Sequence, residues 1–207
     1  RTRPFSDAEI KEGGKSSVQV VEENELLCFD RRSNEWKSFV FDKCWKHNAK
    51  QEEVFTDVEP LALSVAEGYN ASIIAYGQTG SGKTYTMNGT DVERGVSYRT
   101  LRKIFKLLEF KKLEHMNQQK KNENGSSEFT YSITVSMMEI YNEQVKDLLC
   151  SADGNNENSA KLEIRLNPDG EVFVQGLTKH KIQSQQCFLR VELPLYKCLL
   201  SRTLFGK

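Results

Sequence analysis

Residues 77–84 run Gly-Gln-Thr-Gly-Ser-Gly-Lys-Thr, directly after the short apolar stretch Ala71-Ser72-Ile73-Ile74-Ala75-Tyr76. Every fixed position of G-x-x-x-x-G-K-[ST] is met. Glycines at 77, 80 and 82 open backbone conformations closed to other residues, so successive amide N–H groups can converge on phosphate oxygens. The N-terminus of a following helix adds partial positive charge. Gly77, Gln78, Thr79, Gly80, Ser81, Gly82, Lys83 and Thr84 are therefore candidate phosphate ligands. Lys83 would reach the β- and γ-phosphates of a nucleotide, and the Thr84 hydroxyl would ligate Mg²⁺. Such a loop needs a strand before it and a helix after it. The stretch 71–76 is accordingly expected to be a buried parallel strand, and the residues from Lys83 onward are helix-competent. A merely flexible glycine-serine turn is the alternative, and the complete match in this context disfavours it.

The rest of the chain supplies the layers for an α/β domain. Strands are expected at 18–21, 25–29 and 37–42. A helix follows, capped by Asn48 with Gln51 in the reciprocal capping-box position. Val54, Phe55, Val58, Leu61, Ala62, Val65 and Ala66 form its apolar face, Pro60 kinks it and Gly68 closes it. A second helix starts at Ser97 and fades into an exposed polar loop over 111–128. A core strand is expected over 129–142 and a loop over 151–160. The strands 161–166 and 171–177 make a hairpin about Asn167-Pro168-Asp169-Gly170. From Ser184 the tail is expected to be helical at first. Strand, helix, strand, glycine loop, helix, strand is an α/β order.

Composition narrows the class of partner. Among 207 residues, 29 Lys and Arg balance 29 Asp and Glu, so no net field draws the chain to nucleic acid or acidic lipid. No apolar run approaches the ~20 residues of a membrane span. Cys28, Cys44, Cys150, Cys187 and Cys198 lack the paired spacing of a zinc or dithiol site, and His47, His115 and His180 stand apart from one another. Free thiols in a reducing compartment, cytosol or nucleus, follow.

A phosphate loop does not say what the phosphate is for. Hydrolysis needs a second carboxylate near the magnesium and a group that positions water. Asp42, which ends "FVFD", and Glu139, which ends "TVSMME", are the strand-end candidates. A small-molecule kinase would instead close an arginine lid over its acceptor, for which Arg94, Arg99 and Arg102 are available.

The flanks of the loop sharpen the choice. "EGYNASIIAYGQTGSGKTYTMNG" (67–89) closely resembles the ATP-binding signature of kinesin motor domains. "RTRPF" at 1–5 resembles the family's R-x-R-P, "FVFDKCW" its F-x-F-D segment, and "QEEVF" the opening of the helix before the loop. "VSMMEIYNEQVKDLL" (135–149) resembles its V-S-x-x-E-I-Y-N-E…D-L-L block. "LEIRLNPDGEVFVQGLT" (162–178) resembles the hairpin that follows, in the form most similar to the C-terminal-motor, kinesin-14 branch. The resemblance covers residues 1–184 and leaves 185–207 as a divergent tail. It implies a P-loop NTPase-type fold with a central mostly parallel or mixed sheet flanked by helices, here incomplete on its C-terminal side. It also implies Mg-ATP as cofactor, microtubules as partner, microtubule-stimulated ATP hydrolysis, and a place on the cytoplasmic microtubule cytoskeleton. By matching position, Arg1, Arg3 and Pro4 would border the adenine and Tyr85 would pack on its face.

The chain departs from the family after Ser184, where N-x-x-S-S-R-S-H and then D-L-A-G-S-E are expected. The sequence runs "QQCFLRVELPLYKCLLSRTLFGK" instead. The expectation is a motor domain cut short before its γ-phosphate-sensing switches and inactive alone. A non-hydrolysing nucleotide-binding interaction protein is the alternative, ahead of the small-molecule kinase. Oligomeric state, direction and cargo are not written in these residues.

Overall fold

The computed structural model describes residues 1–121, 129–150 and 162–182. The chain divides between Phe110 and Lys111 into two units.

In the first unit, "SDAE" opens helix α1 (Asp7–Lys11) with a capping box: Ser6 Oγ accepts the Glu9 N–H and Glu9 accepts the Ser6 N–H at 2.7 Å. Three strands follow, β1 (Val18–Val20), β2 (Glu25–Asp30) and β3 (Glu35–Val40), paired antiparallel in the order β1-β2-β3. The β2–β3 ladder sets Phe29 opposite Trp36, their rings 5.3 Å apart, and Lys37 bonds Asp30 at 2.6 Å. Asn34, at φ 55°, turns the chain between them. The third strand thus begins and ends two residues before the expected 37–42.

Helix α2 (Gln51–Ala66) starts later than its capping pattern predicts. Asn48 sits in a turn in which Ala49 N–H bonds the Lys46 carbonyl, so Lys50 is the N-cap and supplies no side-chain bond. Of the expected apolar face Val54 and Ala62 are buried but Leu61 and Val65 are exposed, and the helix runs on through Pro60. Its end is a Schellman motif: Gly68, at φ 100°, donates to the Val65 carbonyl and Tyr69 donates to that of Ser64, each at 3.0 Å. The short α3 (Lys83–Met87) follows the glycine loop, and α4 (Val96–Lys121) comes after it. Val96 and Phe105 of α4 join Val54 and Ala62 as the buried apolar residues of this unit, and Lys103 bonds Glu59 of α2 at 2.5 Å.

Two expectations fail here. The stretch 71–76 is in no ladder among the described residues, and Ile74 and Tyr76 are 85% and 99% exposed. A parallel strand exists only where neighbours on its flanks take up its backbone groups. Every pairing described in this chain is antiparallel and lies elsewhere. The polar segment expected as loop from 111 is helical to Lys121. Its lysines, glutamate, glutamines, leucine and methionine are strong helix formers, and polarity alone does not end a helix. The remainder of that expected loop, 122–128, lies outside the described residues, as do the 151–160 loop and the tail from Ser184.

In the second unit, β4 (Ile133–Val135) pairs with β9 (His180–Ile182), bringing Ile133 opposite the buried Ile182. The strand expected over 129–142 is broken. Its second half, β5 (Met138–Tyr141), folds back on β6 (Gln144–Asp147) through Asn142 and Glu143 at φ 49° and 60°. Two consecutive left-handed residues make the tight hairpin turn that Asn favours at its first position. β7 (Glu163–Leu166) and β8 (Val172–Gln175) form the hairpin predicted about residues 167–170, where Asn167 Oδ1 accepts the N–H groups of Asp169 and Glu171. Asp147 accepts from Thr178 N–H at 2.7 Å and Leu149 N–H at 2.8 Å. Burial pushes its carboxyl up, but these bonds outweigh burial and hold the pKa below the usual aspartate value.

Candidate nucleotide-binding site

The glycine loop takes the shape that its composition permits. Gly80 and Gly82 stand at φ 79° and 95°, and a side chain at Gly77 would meet Ser81 Oγ at 2.6 Å. The Thr86 N–H closes the first turn of α3 on the Gly82 carbonyl at 2.9 Å. Lys83 Nζ donates to the carbonyls of Gly77 and Gln78, at 2.7 and 2.8 Å, so its ammonium is held at the loop itself. Gln78, Thr79 and Gly80 are exposed. With only five residues, α3 adds few aligned peptide dipoles. The positive character of the loop therefore rests on Lys83 and the loop amides more than on the helix end that the sequence suggested.

Beside the loop lies a cleft of about 430 Å³, and Arg1, Arg3, Pro4, Gly82 and Tyr85 all line it. Residues far apart in sequence meet here because the Thr2 N–H bonds the Trp45 carbonyl at 3.0 Å, which lays the first residues along the approach to α2. The Arg1 guanidinium donates to Gln51 Oε1 at 3.0 Å, Thr86 Oγ1 at 3.2 Å and the Ala49 carbonyl at 2.9 Å. It also lies 5.0 Å from the centre of the Tyr85 ring, a cation–π contact. Tyr85 Oη donates to Glu93 at 2.8 Å, and that bond, more than burial, raises its pKa. Arg3 makes a two-pronged bond to Glu9 at 2.7 and 2.5 Å. Arg3 first, and then the Ser6 N–H, hold the Glu9 carboxyl down at about 2.

Gln51, Thr86, Glu93 and Glu9 were not singled out from the sequence as site residues. Glu9 had a readable signal in Ser6-x-x-Glu9. For Gln51 the local sequence points to a helix cap instead.

Thr84 occupies the first turn of α3 and is exposed. Among the described residues no group of three or more His, Cys, Asp or Glu could hold a metal ion. That donor set fits magnesium arriving with a nucleotide, because Mg²⁺ on phosphates takes most of its ligands from phosphate oxygens and water and needs little from protein. Asp42 is exposed just past β3 and does not line the cleft; Glu139 lies on β5 opposite Lys146. Arg94 bonds Asp91 at 2.7 Å, and the Arg94 carbonyl accepts from Arg99 Nε at 2.7 Å. Both arginines thus hold the turn before α4 in place, which removes support from an arginine lid. No helix of the described residues is long and apolar enough to cross a membrane.

A family model, the kinesin motor domain, matches residues 1–192. The chain is 38% identical over 186 residues to Kinesin-like protein KIN-14E of Oryza sativa subsp. japonica, covering 89% of this chain and 16% of that one. It is 39% identical over 184 residues to KIN-14S of Arabidopsis thaliana, covering 88% of this chain and 22% of that one. To KIN-14I of Arabidopsis thaliana it is 48% identical over 171 residues, 80% of this chain and 15% of that one. The chain therefore spans roughly a fifth or less of the length of these relatives. Two solved structures are similar in fold. One is a fast kinesin described for its ATPase mechanism and interactions with microtubules, with TM-score 0.76 and 28% identity over 95% of this chain and 51% of that chain. The other is KIF14[391-755] with ADP in complex with a microtubule, with TM-score 0.69 and 31% identity over 94% and 52%.

Proposed function

The chain belongs to the kinesin motor domain family, and from that membership we propose that it forms the nucleotide-binding part of a microtubule-based motor. Residues 77–84 hold the phosphates of ATP or ADP. Arg1, Arg3, Pro4 and Tyr85 border the base, and Thr84 supplies a hydroxyl to Mg²⁺. The whole protein would couple ATP hydrolysis to movement along microtubules and reside on the cytoplasmic microtubule cytoskeleton. The observation that carries the reading is the adjacency of Lys83, held on a glycine loop of P-loop sequence, to a cleft lined by the four residues named for the base.

The chemistry asked of these residues is positioning. Magnesium bound with the nucleotide would neutralise phosphate charge. The loop amides and Lys83 hold the phosphates in line, and the Arg1–Tyr85 pair fixes the base. These 207 residues span about half of each solved chain, at 51% and 52%. Binding without stimulated turnover is therefore expected of them alone. Joined to the C-terminal half of the KIN-14I motor domain, they should give microtubule-stimulated ATP turnover that Lys83→Ala removes. A folded chimera that binds ADP yet shows no stimulation would overturn the motor reading. Stimulated turnover by the 207 residues alone would overturn the division of labour.

A further inference from the structure

We infer that Gln51 is a positioning residue for the base end of the cleft; the inference rests on the reading of that cleft as a nucleotide site. Gln51 is 1% exposed, the one buried polar side chain among the described residues. Both ends of its amide are engaged. Oε1 accepts from Arg1 Nη1 at 3.0 Å, and Nε2 donates to the Tyr85 carbonyl at 2.6 Å. One planar group thus joins the guanidinium lying over the Tyr85 ring to the backbone that carries that ring.

The chemistry admits few substitutes. Arg1 can only donate and a carbonyl can only accept, so the bridging side chain must present one acceptor and one donor at fixed separation. An ionised glutamate has no donor for the Tyr85 carbonyl, a lysine has no acceptor for Arg1, and an aliphatic chain has neither. A buried amide is costly unless both ends are paired, and here both are. Nor is the residue spent on the helix end, since the N-cap of α2 is Lys50 and Gln51 bonds outward to Arg1 and Tyr85. The described bonds of Gln51 run to the base-end pair and not to the loop carbonyls that hold Lys83. Its removal should weaken the part of affinity that depends on the base and spare the part that depends on phosphate.

The test uses the 207-residue chain with Mg²⁺, titrating ADP by calorimetry and inorganic pyrophosphate by competition. Wild type should bind ADP more tightly than pyrophosphate. Gln51→Met should lose about tenfold or more toward ADP, the scale of one hydrogen bond to a charged group, with pyrophosphate affinity unchanged. Arg1→Lys keeps the charge but not the three-bond fork, and should give the same pattern. In the Arg1→Lys background, Gln51→Met should add little, because the two act as one unit. Equal losses toward both ligands, an unchanged ADP affinity or additive losses overturn the assignment. Arg1→Lys carries the test if Gln51→Met does not fold, and unchanged ADP affinity there is equally fatal. Wild type binding both ligands alike would sink the base clamp and leave the phosphate loop standing; wild type binding neither would sink both.

Discussion

Arg3 and Glu9 meet at the edge of the cleft through two bonds of 2.7 and 2.5 Å, and the pair carries a pH signature. The Glu9 carboxyl, held at about 2 by Arg3 and by the Ser6 N–H, lies below an ordinary glutamate at about 4.3. A depressed folded-state pKa means a contribution to stability that is whole above about pH 4.3 and lost as pH falls toward about 2. Wild type should therefore melt slightly above Glu9→Gln at pH 7, with a small gap because the pair is open to solvent. The gap should shrink in melting curves taken down to pH 2.5. A gap that widened on acidification would contradict the assignment. At this scale the spacing G-x-x-x-x-G-K-[ST] singles out Lys83, and the structure seats its ammonium on the Gly77 and Gln78 carbonyls. Gln51 was not legible, because an amide three residues after Asn48 satisfies a local capping rule. Only the fold brings Arg1 and the Tyr85 carbonyl to compete for it, from 50 positions before and 34 after.

Elements whose signals are local came through best. The glycine stop of α2 and the turn at residues 167–170 each depend on neighbours within one or two turns of chain, whereas the α2 apolar face holds only in part, with Val54 and Ala62 buried but Leu61 and Val65 exposed. The end of α2 makes a specific prediction. Gly68 holds φ 100° with no atom near where a side chain would begin, so Gly68→Ala meets the backbone penalty without a clash. It should cost about 1–2 kcal/mol in urea unfolding, whereas Ala at an ordinary helical position would be neutral or stabilising. An unchanged midpoint would show that the Schellman bonds are not formed in solution. Elements that depend on distant partners were misplaced. The run at 71–76 has the composition of a buried strand, but composition cannot supply flanking strands. The stretch 129–142 was read as one strand because its β-branched and aromatic residues continue past the bend. The break falls at Ser136 and Met137, between β4 and β5, and the turn at Asn142 and Glu143, which hold positive φ, then folds β5 onto β6.

For the whole molecule, α/β character and family were legible long before the sheet was. A P-loop with specific flanks identifies a fold by chemistry, whereas sheet order is set by pairings that the described residues complete only as separate antiparallel ladders. The similarity to kinesin structures, at TM-scores of 0.76 and 0.69, spans nearly all of this chain and half of theirs. The nucleotide loop is the element on which every functional statement depends, and its lysine is already held in place by Gly77 and Gln78. The decisive measurement is the affinity of the 207-residue chain for Mg-ADP, compared with that of Lys83→Ala by calorimetry. The account predicts binding by the wild type and a loss of about tenfold to a hundredfold or more in the variant, matching the ~1.5–3 kcal/mol of a hydrogen bond to a charged group. Equal affinities, with both chains folded, would contradict it.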